Sequence, residues 1–333
     1  MIDFSMLPKK NKAYAGANGS KISVIYNGEQ YMLKIPPAPT KNKNISYTNS
    51  CISEYLGCQI FASVGIPVQD TLLGSYRIGD KEKVVVACKD FTSAGIVLQD
   101  FASMKNQIID SVRNGYGTEL TDILTTIDSQ SAVDHHLLTE RFWDMFVIDA
   151  MIGNWDRHNG NWGFLYNAFN DTLELAPVYD CGSSLFPQAD DEMMQTILSS
   201  QNEINHRIFD IPTSAIQIDG KKINYFQFIT SMQNEDCNRA LLRIHPRIDL
   251  EKINQIIDEI PVLSELQKSF YKTMIRARKE RILDHTMKRL LVQQYINANS
   301  TKASSSQEIT TTTPSAQLPT EQPNLDPSDD LEP

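Results

Sequence analysis

The sequence predicts an α+β fold in which a small, mostly β part precedes a larger, mostly helical part and a disordered tail. β-rich runs separated by turn residues fill most of the first 90 positions, and apolar helical segments dominate from about Gln99 to Ile296. From Asn297 onward the chain is rich in Ser, Thr, Pro and acids, and it cannot bury enough surface to offset its ordering entropy. We therefore divide the chain into residues 1–92, 93–296 and 297–333.

The bulk composition indicates a soluble globular protein. The 333 residues suffice for one or two domains, and 41% hydrophobic with 22% charged residues is ordinary for this class. The net charge of −10 argues against direct binding to nucleic acid or to an anionic membrane surface. About half of that charge lies in the tail, where Lys302 faces six acids: Glu308, Glu321, Asp326, Asp329, Asp330 and Glu332.

Cysteine usage and the N-terminus predict synthesis in the cytoplasm. The five cysteines are scattered without a C-x-x-C spacing, which argues against a disulfide framework or a structural zinc site and favours reduced thiols. The first residues, MIDFSMLPKKNK, lack the apolar stretch of a signal peptide, and no segment has the length of a membrane span. Export by a specialised machine without a cleaved leader remains compatible with this pattern.

The first part contains two predicted hairpins with a helix between them. ISVIYNGEQYMLKI places Asn27-Gly28 between two β-rich runs, which is a strong signal for a two-residue hairpin. SCISEYLGCQIFASVG has helical apolar spacing and ends at Gly65. TLLGSYRIGDKEKVVVACKDF predicts a second hairpin that turns at Gly79-Asp80.

The second part is predicted to be mainly helical. RFWDMFVIDAMIGN is a strongly apolar helix, and WGFLYNAFNDTLELAPVYD resembles a hairpin with Asn170-Asp171 at its turn. Segments near 190–209, 249–260 and 262–296 also have helical spacing, and the last of them is long and amphipathic.

AYAGANGSKISV is a candidate phosphate-binding loop. Gly16 and Gly19, with the small Ala15 and Ala17 beside them, precede a strand, and backbone amides approach phosphate closely only where side chains are small. The pattern does not satisfy the Walker A motif, and a plain turn is the alternative interpretation.

A strand lysine and a helix glutamate follow this loop. Lys34 lies near the end of the strand after the Asn-Gly turn, and Glu54 lies on the predicted helix. In protein kinases a strand lysine touches the α and β phosphates and is held by a helix glutamate. Taken separately, an exposed lysine on an edge strand and a solvated glutamate are the alternatives.

The stretch NWDRHNGNWGFLYN carries the aspartate and asparagine spacing of a kinase catalytic loop. Asp156 and Asn161 are separated by four residues, which suits a base for a substrate hydroxyl and a magnesium ligand. Arg157 and His158 are expected to keep the phosphate-facing surface positive. An Asx-rich surface loop is the alternative.

VYDCGSS follows the third hairpin and places an acid ahead of a glycine. Asp180-Cys181-Gly182 has the form of the kinase magnesium-binding segment, in which an anionic oxygen suits the metal, and a structural cap is the alternative. The loop, the lysine, the glutamate, the catalytic spacing and this acid occur in the order found in kinases. Their joint occurrence predicts a bilobal kinase with a mostly β N-lobe and a mostly α C-lobe.

These residues resemble a known family. N-x-D-x-H-x-x-N, present as Asn154, Asp156, His158 and Asn161 and followed by APVYD, is similar to the motif of the HipA-type serine/threonine kinases. The resemblance extends from about Asp3 to Arg289. It implies a HipA-like bilobal kinase fold that autophosphorylates and that phosphorylates serine or threonine with ATP and Mg²⁺.

By position, the resemblance also assigns roles. Asp156 is the implied catalytic base, Lys34 pairs with ATP, His158 and Asn161 lie near phosphate and metal, and Asp180 is the main magnesium ligand. The implied phosphate loop comprises Ala15, Gly16, Ala17, Asn18, Gly19 and Ser20. The implied hinge comprises Cys88, Lys89, Asp90 and Phe91.

The leading hypothesis is an active protein serine/threonine kinase whose substrates include host-cell proteins. A catalytically silent nucleotide-binding pseudokinase and a small-molecule kinase on a related fold are the alternatives. The presence of Lys34, Glu54, Asp156, Asn161 and Asp180 argues against the first alternative. The oligomeric state is left open.

Overall fold

The computed structural model describes residues 1–14, 20–37, 47–109 and 113–308, and of residues 300–308 the backbone alone. The strands are β1 (Ile2–Asp3), β2 (Lys9–Lys10), β3 (Ser20–Tyr26), β4 (Glu29–Ile35), β5 (Thr71–Ile78), β6 (Lys81–Lys89), β7 (Ile96–Asp100), β8 (Gly163–Asn167), β9 (Thr172–Leu175), β10 (Thr213–Ile218) and β11 (Lys221–Asn224). The α-helices are α1 (Ser50–Ser63), α2 (Phe101–Ile108), α3 (Leu120–Ser129), α4 (His135–Ile152), α5 (Asp191–Leu198), α6 (Gln201–Phe209), α7 (Tyr225–Ser231), α8 (Glu235–Ile244), α9 (Leu250–Asp258), α10 (Glu265–Arg278) and α11 (His285–Glu308).

A six-stranded sheet forms the N-terminal part, in the order β1-β5-β6-β4-β3-β2. The two hairpins predicted from the sequence are its centre: β3 pairs with β4 across Asn27-Gly28, and β5 pairs with β6 across Gly79-Asp80. Asn27 and Gly28 both have positive φ, as the tight turn between antiparallel strands requires. The turn residues therefore determine which strands pair in the centre of this sheet.

The two faces of this sheet have different partners. One face carries a small apolar core that includes Val24, Leu33 and Val85. The other face contacts the buried side of helix α1, where Cys51 packs against Val86 and Cys88 of β6. Because side chains alternate along a strand, each side chain of β3 and β4 lies either on the apolar core side of the sheet or on the side that faces α1.

The larger part of the chain surrounds helix α4. This helix begins at an Asp134 cap and ends at Gly153, which adopts the left-handed conformation favoured at helix C-termini. Nearly all of its second half is buried, and α8 packs along it. The predicted apolar helix is therefore the centre of the main core.

The second part contains more strand than the sequence predicted. The predicted hairpin β8-β9 is present, but β7 joins it as a third strand, and β10 pairs with β11 in a separate hairpin. The predicted helix near 190–209 is two helices, α5 and α6, with Ser199 and Ser200 between them. Ser200 accepts a hydrogen bond from the amide of Glu203, which caps α6 and accounts for the break.

The C-terminal helical segment is interrupted and long. A π-helical stretch, Lys279–Asp284, separates α10 from α11. The tail predicted to be disordered begins at Asn297, yet α11 continues to Glu308, and residues 309–333 lie outside the described part of the chain. The chain divides into two compact units, residues 1–290 and residues 291–333, while the predicted division at residue 92 stays a prediction.

Among the described helices, none combines the length and the apolar character that crossing a membrane requires. All five cysteines are buried and free, as the prediction of reduced thiols requires.

The start of β8 provides a test of this packing. A side chain at Gly163 would lie 2.3 Å from the carbonyl oxygen of Gln99 on β7, whereas the nearest atom to one at Gly117 is 3.6 Å away. We expect Gly163→Ala to lower the free energy of unfolding by about 1–3 kcal/mol. Gly117→Ala should change it by less than about 1 kcal/mol. Urea unfolding of both variants measures the difference, and equal effects would contradict the close approach of β7.

Candidate active site

Lys34 lies at the centre of the candidate site. Its ammonium donates to Glu54 Oε2 on α1 at 2.8 Å and to Asp180 Oδ1 at 3.0 Å. Glu54 is buried, while 42% of the Asp180 side chain is exposed. The lysine therefore links the sheet to α1 and to the segment after β9, and it leaves part of the Asp180 carboxylate accessible.

The segment after Asp180 packs tightly against α1. Asp180 itself has φ +58°, a conformation that is uncommon outside glycine and that clusters at functional sites. A side chain at Gly182 would lie 3.0 Å from Glu54 Oε2, and one at Gly57 would lie 2.6 Å from the Cβ of Cys181. The two glycines allow α1 and this segment to approach closely enough for Lys34 to reach both acids.

Asp156 and Asn161 lie in the loop between α4 and β8. The Asn161 side-chain amide donates to the Asp156 carbonyl at 2.7 Å, so its oxygen is the group that remains for a metal. The amide of Asp156 donates to Asn154 Oδ1 at 3.1 Å, and the Asn154 side chain donates to Asp149 at 3.0 Å. The side chains of Asn154 and Asn161 thus hold the backbone of the loop by hydrogen bonds. The Asp156 side chain stays partly exposed.

Arg157 corrects one expectation from the sequence. It was expected to make the phosphate-facing surface positive, but its guanidinium is buried and pairs with Asp149 of α4 at 2.9 Å. It also donates to the carbonyls of Asn161, at 2.9 Å, and Tyr179. A buried arginine needs a carboxylate and carbonyls to compensate for its lost hydration, and Asp149, Asn161 and Tyr179 supply them.

The His158 side chain contacts its own loop and Tyr116, and its predicted place near phosphate and metal stays a prediction. Its Nδ1 accepts a hydrogen bond from the Gly160 amide at 3.0 Å, and its ring meets the edge of Tyr116 with centroids 6.4 Å apart. Tyr116 in turn donates to Asp100 at 3.0 Å. These contacts fix the orientation of the imidazole within the loop.

Burial and charge act differently on the ionisable groups. Burial alone would lower the pKa of Lys34, but Asp180 and Glu54 raise it well above its ordinary value. Burial would raise the pKa of Asp180, yet Lys34 and Arg157 lower it below the usual range. For Asp156, burial raises the pKa and His158 offsets only part of the rise. One carboxylate is thereby kept ionised, and the other becomes a better proton acceptor.

The predicted hinge, Cys88 to Phe91, follows β6. The Asp90 amide donates to the carbonyl of Gln30 at 2.8 Å, and the Asp90 carboxylate accepts from Lys12 at 2.6 Å, Tyr14 at 2.7 Å and Thr92 at 2.7 Å. The carboxylate is therefore used within the protein. It fixes the residues just ahead of the candidate phosphate loop to the hinge.

Other hinge residues serve the packing of the sheet. Cys88 is fully buried, and burial raises the pKa of its thiol. Lys89 pairs with Glu29 at 2.6 Å, and the Phe91 ring lies 5.9 Å from that of Tyr179, next to Asp180. The hinge thus contacts the start of β4 and the residue before Asp180.

The candidate phosphate loop is described at its last residue alone. Ala15, Gly16, Ala17, Asn18 and Gly19 lie outside the described residues. Ser20 begins β3 opposite Ile35, a member of the apolar core, so its side chain belongs to the core face of the sheet. A role for Ser20 in phosphate binding would therefore rest on its backbone amide.

Residues before α1 connect it to the segment after Asp180. The Asn49 amide donates to the Pro187 carbonyl at 2.9 Å, and its side chain donates to the Ala189 carbonyl at 2.6 Å. Trp155, adjacent to the candidate base, donates its indole N–H to Tyr47 at 3.2 Å. These contacts, which the sequence did not predict, hold α1 where Glu54 meets Lys34.

Asp149 and Asn49 are the residues of this site that sequence reasoning missed. An acid within the apolar run FVIDAMI was a usable signal, because an acid is rarely buried without a partner. Asn49 offered no comparable signal, since its partners lie 138 and 140 residues further along the chain.

Asp180 and Asn161 together suit a hard divalent cation. They present a partly exposed carboxylate and an amide oxygen, the ligand types that magnesium prefers. Within the described ranges, no group of three or more His, Cys, Asp or Glu could hold a metal by itself. A metal bound here would need further oxygens, as a metal that bridges a polyphosphate has.

Comparisons with known proteins identify the family of this chain. The family model described as the HipA-like C-terminal domain matches residues 12–261. The serine/threonine-protein kinase CtkA of Helicobacter pylori is 49% identical over 303 residues, which are 90% of this chain and 92% of the relative. The crystal structure of a Helicobacter pylori proinflammatory kinase CtkA matches with a TM-score of 0.81 and 48% identity, over 87% of this chain and 98% of the other.

The buried pair of Arg157 and Asp149 generates a stability prediction. Arg157→Met leaves the Asp149 carboxylate buried without its cation, and we expect the free energy of unfolding to fall by about 3–5 kcal/mol. The double variant Asp149→Asn/Arg157→Met should lose less than the single variant. Arg239, which is 61% exposed and pairs with neighbouring acids, is the control, with an expected loss of about 0–1 kcal/mol for Arg239→Met. Equal losses at positions 157 and 239 in urea unfolding would refute the role of the buried pair.

Proposed function

The chain belongs to the family of HipA-like C-terminal domains, and from this membership we propose that it is a protein serine/threonine kinase that uses ATP and Mg²⁺. The name of the relative, a serine/threonine-protein kinase, supports the class of reaction.

One observation carries the proposal. Lys34 bridges the buried Glu54 and the partly exposed Asp180 at 2.8 and 3.0 Å. Kinases require this lysine and glutamate pair next to a metal-binding aspartate before they transfer a phosphoryl group. A pseudokinase has no need to retain all three groups together with the Asp156 loop.

The site residues have different roles in the proposed phosphoryl transfer. Lys34, fixed by Glu54, binds the α and β phosphates of ATP and positions the γ phosphate. Asp156 lies on a loop held by Asn154 and Asn161. It orients the acceptor hydroxyl and takes its proton as the oxygen attacks the γ phosphorus, while the bond from that phosphorus to the bridging oxygen breaks and ADP leaves. The ring of His158 lies in the same loop, where its Nδ1 accepts a hydrogen bond from the Gly160 amide.

Asp180 and Asn161 would hold Mg²⁺, which supplies neutralisation of the charge on the β and γ phosphates. The low pKa of Asp180 keeps its carboxylate ionised for this role. The Asn161 oxygen is available because its NH₂ group is already bound to the Asp156 carbonyl.

The acceptor is proposed to be a serine or threonine of a protein, including this chain itself. Autophosphorylation, delivery into host cells, action on host proteins and the absence of direct nucleic-acid binding follow from the resemblance or the composition, and they stay predictions. Modification of the chain by its own activity provides the simplest assay, because it needs no identified substrate.

The first kinase prediction concerns Asp156. With labelled ATP and Mg²⁺, we expect the full chain to incorporate phosphate on Ser or Thr. Asp156→Asn should retain ATP binding but lose about 10²–10⁴-fold in rate, because the base is removed while Lys34 remains. Asp171→Asn is the matched control, since this turn aspartate has φ +54° and asparagine tolerates that conformation.

The outcomes separate the alternatives. Label in the wild type and in Asp171→Asn but not in Asp156→Asn supports the proposal. Equal labelling in Asp156→Asn would remove the base assignment. ATP binding without any labelling, of the chain or of generic protein substrates, would favour the small-molecule kinase or the binding-only pseudokinase.

The second kinase prediction concerns pH. Burial raises the pKa of Asp156, so protonation begins at a higher pH than for an ordinary aspartate. Because the base acts as a carboxylate, kcat/KM should fall as the pH drops through this raised value. Asp180, whose pKa is lowered, stays ionised over that range. Rates measured across the acidic range, with circular dichroism to verify folding, test this. A fall in kcat/KM with a midpoint at or below about pH 3.9, the ordinary pKa of aspartate, would contradict this prediction.

A further inference from the structure

The hairpin formed by β10 and β11 is anchored on the loop of the candidate base. A side chain at Gly153 would lie 3.0 Å from the ring of Pro212, the residue before β10. Directly after β11, the hydroxyl of Tyr225 donates to the Asn154 carbonyl at 2.6 Å, and this hydrogen bond is buried. The hairpin therefore begins and ends beside the residues that precede Asp156.

The far end of this hairpin is fixed as well. The Gln217 amide donates to the Thr118 carbonyl at 2.8 Å. At the turn, the amides of Asp219 and Gly220 donate to the two carboxylate oxygens of Glu119 at 2.6 and 3.1 Å. A two-stranded hairpin is marginal by itself, and these contacts hold its backbone against the residues before α3. The positions from which its side chains project are thereby fixed.

Lys222 lies on the exposed face of this hairpin. Its neighbour Ile223 is 5% exposed and belongs to the main core, so alternation along β11 places Lys222 on the opposite side. The lysine is exposed, and its register partner across the hairpin is Gln217. Within the part of the chain that the structure describes, no hydrogen bond or ion pair joins its ammonium to another residue. Its charge is therefore available to a group outside the protein.

The charge of Lys222 acts on the candidate base. Burial raises the pKa of Asp156, and nearby positive charges, that of Lys222 among them, offset part of the rise. Lys34, in contrast, pairs with Glu54 and with the candidate metal ligand Asp180. Lys222 thus belongs to the surroundings of the base, where an acceptor hydroxyl has to arrive, whereas Lys34 belongs to those of the nucleotide.

We propose that Lys222 selects the acceptor by pairing with an aspartate or glutamate that flanks the serine or threonine to be phosphorylated. The inference rests on the proposed kinase function and deepens it, since it names the class of substrate. An acceptor whose hydroxyl reaches Asp156 must place its neighbouring residues over the surface around that base. An exposed lysine fixed there attracts a carboxylate and repels a basic side chain. The preferred acceptors are therefore acidic segments.

The test uses synthetic peptides that contain a single serine or threonine in a random neutral sequence. Asp, Asn or Lys is placed at each flanking position in turn, and the full chain is supplied with labelled ATP and Mg²⁺. At one flanking position or more, we expect kcat/KM for the Asp peptide to exceed that for the Asn peptide by about 3- to 10-fold, as one exposed ion pair allows. The preference should shrink in high salt, which screens exposed charges.

Variants at position 222 should change this preference alone. Lys222→Gln should phosphorylate Asp and Asn peptides equally well, and Lys222→Glu should favour Lys at the position where the wild type favours Asp. The change should lie in KM for the peptide, while kcat, the affinity for ATP and the thermal unfolding stay as in the wild type. A merely structural lysine would alter the thermal unfolding and leave the choice of peptide unchanged.

Lys221→Glu is the matched control. It makes the same change of charge at the adjacent exposed lysine, which alternation directs to the other side of β11. This variant should keep the wild-type preference for Asp. Equal loss of the preference in Lys221→Glu and Lys222→Glu would assign it to the net charge of the hairpin, which overturns the inference.

The remaining outcomes distinguish the two proposals. If the wild type phosphorylates peptides without favouring Asp, or if Lys222→Glu keeps the wild-type preference, the role of Lys222 is wrong and the kinase proposal stands. If Lys222→Glu loses affinity for ATP, the lysine acts on the nucleotide, which also overturns the inference. If the wild type transfers phosphate neither to itself nor to any peptide, the kinase proposal itself is wrong.

Discussion

The buried ion pair between Arg157 and Asp149 is the interaction on which the rest of the site depends. It joins helix α4, the loop of Asp156 and the segment of Asp180 through one guanidinium, which has enough donors for a carboxylate and several carbonyls. Neither charge could be buried alone without a large cost. The positions of the candidate base and metal ligand are therefore linked through the core.

Much of the fold, and the candidates for the site, could be predicted from the sequence because the signals are local. Asn27-Gly28 and Gly79-Asp80 determine their hairpins within a few residues, and the apolar spacing before Gly153 determines α4. The spacing of Asp156 and Asn161 required no knowledge of distant contacts. The pairing of Lys34 with Glu54 was also predicted, since kinases place both residues in this order.

The remaining features depend on contacts between distant parts of the chain. The sequence does not indicate whether the Arg157 side chain points to solvent or to the interior. Its burial depends on hydrogen bonds to the carbonyls of Tyr179 and Asp180. Asp90 was expected at a nucleotide-binding hinge, but its carboxylate is used by Lys12 and Tyr14, more than 70 residues earlier. The side of the sheet on which Ser20 lies required the strand register, because a shift of one residue exchanges the two faces.

The docking of Asn49 onto the Pro187 and Ala189 carbonyls has a consequence for control. Helix α1 is held in place by backbone carbonyls of the segment after Asp180, and Lys34 meets Glu54 in the same arrangement. In the proposed kinase, the pairing of Lys34 with Glu54 would depend on the segment that carries these carbonyls, so a displacement of that segment would also displace α1.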